Sequence, residues 1–150
     1  MRVLIDTNIL LRAVQPSHPH NRTARMALLA LHRKADNMCL TLQNLTEFWN
    51  VCTRPQAVNG MGFSIECTDR YVIRLERFFT ILPDSMQVIQ SWRQLVVAHA
   101  VRGVQVHDTR LVATMKAYNI PQIVTFNVGD FARFSDIEVI HPQSYAQGWQ

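Results

Sequence analysis

A chain of 150 residues, 48% hydrophobic and 17% charged, has the composition of one globular domain, not of a disordered or fibrous polymer. No apolar run approaches the roughly 20 residues of a membrane-spanning helix, and Asp6, Asn8 and Arg12 break the apolar N-terminal stretch where a signal peptide needs continuity. The net charge of +4 permits a polyanionic partner; Cys39, Cys52 and Cys67, odd in number and without C-x-x-C spacing, suggest neither disulfides nor a zinc site and fit a reducing cytoplasm.

In chain order, the β-rich run at 2–5 reads as a strand buried on both faces of a parallel sheet, ended by the polar turn Asp6-Thr7-Asn8 and leading into a helix. After a loop marked by Pro16 and Pro19, helical periodicity runs over 21–35. A second strand is expected at 38–42 and a helix at 44–53, which must stop near Arg54-Pro55 because the residue before proline avoids the helical region. Residues 56–63, with Gly60 and Gly62, are loop-like. Ser64 can cap a helix over 65–79, followed by a short apolar run at 80–82 and a helix opened by Pro83-Asp84 and continuing to about Val101. Residues 104–106 form a minimal strand candidate, 108–118 a helix, 122–126 a strand and 137–140 a last strand. This alternation implies a three-layer α/β/α domain spanning 1–150, with a central parallel sheet flanked by helices. No G-x-G-x-x-G or Walker-type loop is present, which disfavours nucleotide-cofactor chemistry.

Ligands of open parallel sheets bind beyond the carboxyl ends of the strands. Asp6, Asp108 and Asp130 each follow an expected strand, and Glu47 sits in the first turn of the helix after the second, so four acids share one edge. Each has a structural alternative. Glu47 can close a capping box begun at Asn44, Asp108 can cap its helix, Asp130 can close a turn begun at Asn127, and Asp6 can make an Asx-turn. Clustered together, however, four carboxylates repel by several kcal/mol per close pair at an effective dielectric of about 20, and such a set needs a cation. All-oxygen ligands suit Mg²⁺ or Mn²⁺, and the chemistry this implies is phosphodiester hydrolysis.

The segment Val3-Leu4-Ile5-Asp6-Thr7-Asn8-Ile9-Leu10 resembles the opening motif of PIN-domain nucleases. Leu45-Thr46-Glu47-Phe48 resembles that family's second acid, the stretch from Val106 through Asp108 to Ala113 its third, and the stretch from Thr125 through Asp130 to Phe131 its last. The compact form, with its insertion between Arg54-Pro55 and Gly62-Phe63, is similar to VapC-type toxins of bacterial toxin-antitoxin pairs. The resemblance implies an RNA-cutting toxin that depends on Mg²⁺ or Mn²⁺, forms a homodimer and is inhibited by an antitoxin protein. It assigns Asp6, Glu47, Asp108 and Asp130 as metal ligands, directly or through water, with Thr7, Asn8, Thr125 and Asn127 supporting them. Thr109 stands where relatives often carry a small apolar residue. Two other readings stay open: a non-catalytic PIN-like module that binds RNA or protein, and an RNA-processing nuclease without an antitoxin.

Arg12, Arg22, Arg25, Arg54 and Arg110 can line a path for the RNA backbone or equally form solvated helix faces. His107 can shuttle protons but reads more simply as structural, His18 and His20 read as exposed, and Phe48, Trp49 and Trp92 read as packing residues. Asp84 reads as a helix-start charge.

Overall fold

In the computed structural model, which describes residues 1–34 and 36–147, the strands are Arg2–Ile5 (β1), Asn37–Thr41 (β2), Thr80–Leu82 (β3), Gln122–Val124 (β4) and Glu138–Ile140 (β5). They pair in the order β3-β2-β1-β4-β5, and every pairing is parallel. Among the described residues the helices are Thr7–Ala13 (α1), Asn21–Arg33 (α2), Leu42–Thr53 (α3), Ile65–Phe78 (α4), Met86–Ala98 (α5), Gln105–Ala117 (α6) and Gln143–Ala146 (α7).

The three layers follow from the alternation of side chains along each strand. Val3, Ile5, Met38, Leu40 and Val124 point to one face, where α1, α2 and α3 cover them with Ile9, Leu10, Ala24, Leu31, Phe48 and Cys52. Leu4, Cys39 and Ile123 point to the other, against Val88 and Leu95 of α5 and Leu111, Val112 and Met115 of α6. With helices on both faces the strands carry no polar side, hence the continuous apolar runs. Each fully buried Leu or Ile here contributes roughly 1.5–3 kcal/mol relative to exposure.

Local chemistry sets the helix boundaries. Ser64 caps α4 through the Cys67 N–H (3.1 Å), and α3 ends at Arg54, whose extended backbone precedes Pro55. Several expected boundaries shift. The Thr41 hydroxyl accepts the Asn44 N–H (3.1 Å) while the Asn44 amide oxygen accepts the Thr41 N–H (2.8 Å), so the capping box of α3 is Thr41 with Asn44, not Asn44 with Glu47. The helix expected to open at Pro83-Asp84 begins at Met86 under a Ser85 cap and ends at Ala98. The strand expected at 122–126 ends at Val124, and α2 is described to Arg33; Ala35, its expected end, lies outside the described residues.

Residues 104–106 are not a strand. Val104 precedes α6 with 81% of its surface exposed, and Gln105 and Val106 are the first residues of that helix. The sheet runs β3-β2-β1-β4-β5, and residues 104–106 add to neither of its edges. The Val106 and His107 N–H groups bond instead to the carbonyls of Gly103 and Val104, which turns the chain into the helix.

Candidate active site

The strand order reverses between β1 and β4, and at such a switch point the connections leave in opposite directions and open a crevice at the carboxyl ends. Asp6 immediately follows β1 and Thr125 immediately follows β4, so the pair flanks that crevice. Asp6 is the N-cap of α1, and the residue is only 8% exposed. One oxygen accepts the Thr7 N–H (2.7 Å); the other accepts the Thr125 hydroxyl (2.6 Å) and the Asn8 amide (3.1 Å). The Asx-turn alternative and the functional one thus coincide, since the cap fixes the carboxylate that faces the crevice.

Glu47 lies one turn into α3 and is freed from capping by Asn44. Its two carboxylate oxygens accept the Thr7 hydroxyl and the Gln43 amide, each at 2.9 Å. Asn44, fully buried, donates to the same Thr7 hydroxyl (3.0 Å), and Gln43 also donates to the His107 carbonyl (3.0 Å), which ties α3 to the start of α6. The Trp92 indole holds that start from the other side through the Val106 carbonyl (3.0 Å).

Asp108 therefore reaches the site from the first turn of α6, where the positive end of the helix favours a carboxylate, and not as the residue after a strand or as the helix cap. Asp130 is exposed on the 3₁₀ turn Val128–Phe131 that follows β4; its N–H closes the turn begun at Asn127 (3.1 Å).

Electrostatics link the four. Burial pushes Asp6 up to about 6, against the hydrogen bonds from Thr125 and Thr7, and the charges of Asp108 and Glu47 add to the rise. Asp108 is likewise pushed up to about 6, first by burial and then by Asp130 and Glu47, with His107 and Arg133 acting in the opposite direction. Meanwhile the ion pairs Met1–Asp36, Arg110–Asp84 and Lys116–Asp136 all involve other acids. Oxygen donors that repel one another without a paired side-chain cation suit a hard divalent ion. Among the described residues no three His, Cys, Asp or Glu side chains stand close enough to enclose an ion directly.

Of the expected supporting residues, Thr7, Asn8 and Thr125 touch the acids, whereas Asn127 acts through its backbone N–H, which donates to the Thr125 hydroxyl (3.0 Å). Thr109 is buried, and its hydroxyl turns back to the Gln105 carbonyl (2.9 Å), so it packs without disturbing Asp108. Arg110 pairs with Asp84 (2.7 Å) and lines a groove of about 400 Å³ with Gln43, Glu47 and His107. Arg12 donates to Gln15 (2.7 Å) at the end of α1, Arg22 and Arg25 are exposed on α2, and Arg54 is engaged in its own loop through the Asn59 carbonyl (2.9 Å). Phe48 is buried in the core as expected, and Trp49 lines a surface groove between α3 and α4.

Sequence reasoning missed Gln43, Asn44 and Arg133. The i, i+4 spacing of Gln43 and Glu47 and the Thr41-x-x-Asn44 pattern were signals for the first two. Arg133 carries no local signal; it comes near Asp108 only because the turn after β4 folds back, where it bonds Gln105.

Three solved structures share this architecture over nearly the whole chain. VapBC2 from Rickettsia felis, bound to a DNA fragment from its promoter, has 16% identity and a TM-score of 0.67, covering 94% of this chain and 98% of that one. FitAcB from Neisseria gonorrhoeae has 21% identity and a TM-score of 0.68 with coverage of 94% and 98%, and VapC20 from Mycobacterium tuberculosis, a sarcin-ricin loop cleaving toxin, has 18% and 0.68 with coverage of 91% and 98%. No curated protein matches the sequence. The PIN domain model matches residues 3–137, which take in all four acids, and the chain belongs to the PIN-domain family.

Proposed function

We propose that this chain is a divalent-metal-dependent endoribonuclease and the toxin of a toxin-antitoxin pair. The observation that carries the reading is the gathering of four acids at the β1–β4 crevice: burial raises Asp6 and Asp108, Asp108 and Glu47 add to the rise at Asp6, and Asp130 and Glu47 add to it at Asp108. Asp6 and Asp108 would hold Mg²⁺ or Mn²⁺, with Glu47 and Asp130 contributing directly or through water. When bound, such an ion supplies charge on the phosphoryl oxygen and a water of lowered pKa.

The protein's own part is orientation. Thr125, Asn8 and the Thr7 N–H fix the Asp6 carboxylate in one rotamer, while Thr7 and Gln43 fix Glu47. Arg110 beside Glu47, with Arg12, Arg22 and Arg25 farther along the surface, supports passage of an RNA backbone, since phosphate contacts supply most sequence-independent affinity.

The partner reading rests on likeness to VapBC2 and FitAcB. We further propose that the chain acts as one domain and forms a homodimer; the exposed Met86, Ile89 and Val97 of α5 support a covered face. Three free cysteines, with no described helix long and apolar enough to cross a membrane, are consistent with action in the cytoplasm.

Incubating purified protein with RNA and Mn²⁺, with an EDTA control, tests the activity. Asp6→Asn is expected to lower cleavage by more than about a hundredfold, beyond the 10–100-fold typical of outer-shell changes. Cleavage at the parental rate by a folded Asp6→Asn protein would overturn the mechanism.

A further inference from the structure

A row of rings lies at the same sheet edge, beyond the β4 side of the acids. His20 stacks on Phe126 (centroids 4.8 Å apart, planes at 27°), with His18 tilted beside His20 (5.4 Å) and His141 edge-on to Phe126 (5.5 Å, 82°). Phe126 is bound to the site itself: it directly follows Thr125, and its N–H donates to the Asn8 side chain (3.3 Å).

Two of the imidazoles sit in matching turns. In His18-Pro19-His20 the His20 N–H donates to His18 Nδ1 (3.0 Å), and in His141-Pro142-Gln143 the Gln143 N–H donates to His141 Nδ1 (3.2 Å). An Nδ1 that accepts cannot carry a hydrogen, so in the neutral ring Nε2–H is the donor, fixed in direction by the turn. A Thr23–Gln143 bond (3.3 Å) joins the first turn of α2, which follows His20, to the end of the second turn. His20 occupies the N-cap of α2, where Ser, Thr, Asp or Asn is preferred, yet its side chain makes no cap bond. Its ring serves the stack, not the helix.

We propose that His18, His20, Phe126 and His141 form a strip that holds bases of a single-stranded RNA lying across the acidic crevice. The rings supply stacking faces, and the Nε2–H groups of His18 and His141 donate to the strand. This rests on the nuclease reading above. Rings of this kind stack on any base, which gives affinity without strict sequence preference. Burial, and after it the nearby charges of Arg12 and His20, lower the His18 pKa, and Arg12 adds positive charge at the start of the strip.

The test separates binding from helix stability with His20→Ser, which supplies a better cap while removing the ring. Fluorescence anisotropy with a short labelled single-stranded RNA in EDTA, where no cleavage occurs, is expected to show roughly tenfold weaker binding for His20→Ser and for His141→Ala. His20→Phe keeps a stacking face and stays near parental affinity. The melting temperature of His20→Ser is expected to equal or exceed that of the parent. The parent prefers this RNA over one with abasic sites, and His20→Ser narrows that preference. With Mn²⁺ and cleavable RNA, the loss falls on KM and not on kcat.

Parental affinity in both His20→Ser and His141→Ala would overturn the strip, as would a parent that does not bind the RNA. A parent that binds RNA but does not cleave it in Mn²⁺ overturns the nuclease reading alone and leaves the strip standing.

Discussion

Asp6 carries a heavy electrostatic burden, because it is buried, acidic and near two other acids. Its folded pKa, about 6, lies above the ordinary value of 3.8, so folding favours the protonated form. That contribution to stability is fully present below the unfolded value and is lost as pH rises through about 6. Metal-free protein is therefore expected to melt at falling temperature as pH rises from 4 to 7, with Asp108 adding in the same direction. Mn²⁺ should flatten the profile, and Asp6→Asn should remove the share that Asp6 contributes, raising metal-free stability at pH 7 by on the order of 2 kcal/mol and leaving the share of Asp108. Thermal melts across this range, with EDTA and with Mn²⁺, check the sign. Thr125→Val removes the 2.6 Å bond to Asp6 and leaves the Asn8 and Asn127 donors facing a methyl group. It should weaken Mn²⁺ binding roughly 10–100-fold by calorimetry, the usual loss when a ligand's supporting group is removed.

At the scale of elements, the start of α3 joins stability to the site. Asn44 completes the capping box and also holds the Thr7 hydroxyl that bonds Glu47. Asn44→Ala should destabilise by about 1–2 kcal/mol in urea unfolding and reduce activity further, whereas the exposed Thr46→Ala one half-turn on should do neither. The loop after α3 depends on close backbone approach: a Cβ on Gly60 would lie 1.8 Å from the Arg54 carbonyl oxygen. Backbone cannot yield as a side chain can, so Gly60→Ala is expected to cost more than about 2 kcal/mol by the same measurement.

For the whole molecule, the second core is what sets α6 against the sheet and so brings Asp108 to Asp6. Leu111, 1% exposed, packs with Leu4 and Ile123 beneath the site. Leu111→Ala should cost about 2–5 kcal/mol through the cavity it leaves, measured by denaturant unfolding. In the fraction that stays folded, Mn²⁺ affinity should also fall, because the helix bearing Asp108 loses its seat.

Much of this was legible in local sequence, because the forces involved are local. The apolar run before Asp6, the Ser64 cap and the stop at Arg54-Pro55 depend on neighbours a few residues away, and all stand where expected. The place of Asp6 belongs here too, since an acid at the end of an apolar strand can be read residue by residue. Which side chains support those acids depended on packing between distant segments. The choice of Asn44 over Glu47 as capping partner fell to the exact start of α3, and 105–106 joined the helix that packs Leu111, Val112 and Met115 against the sheet. Short segments lack the hydrogen bonds to fix their own conformation, so the sequence determined which residues carry charge, and the tertiary structure decided which of them meet.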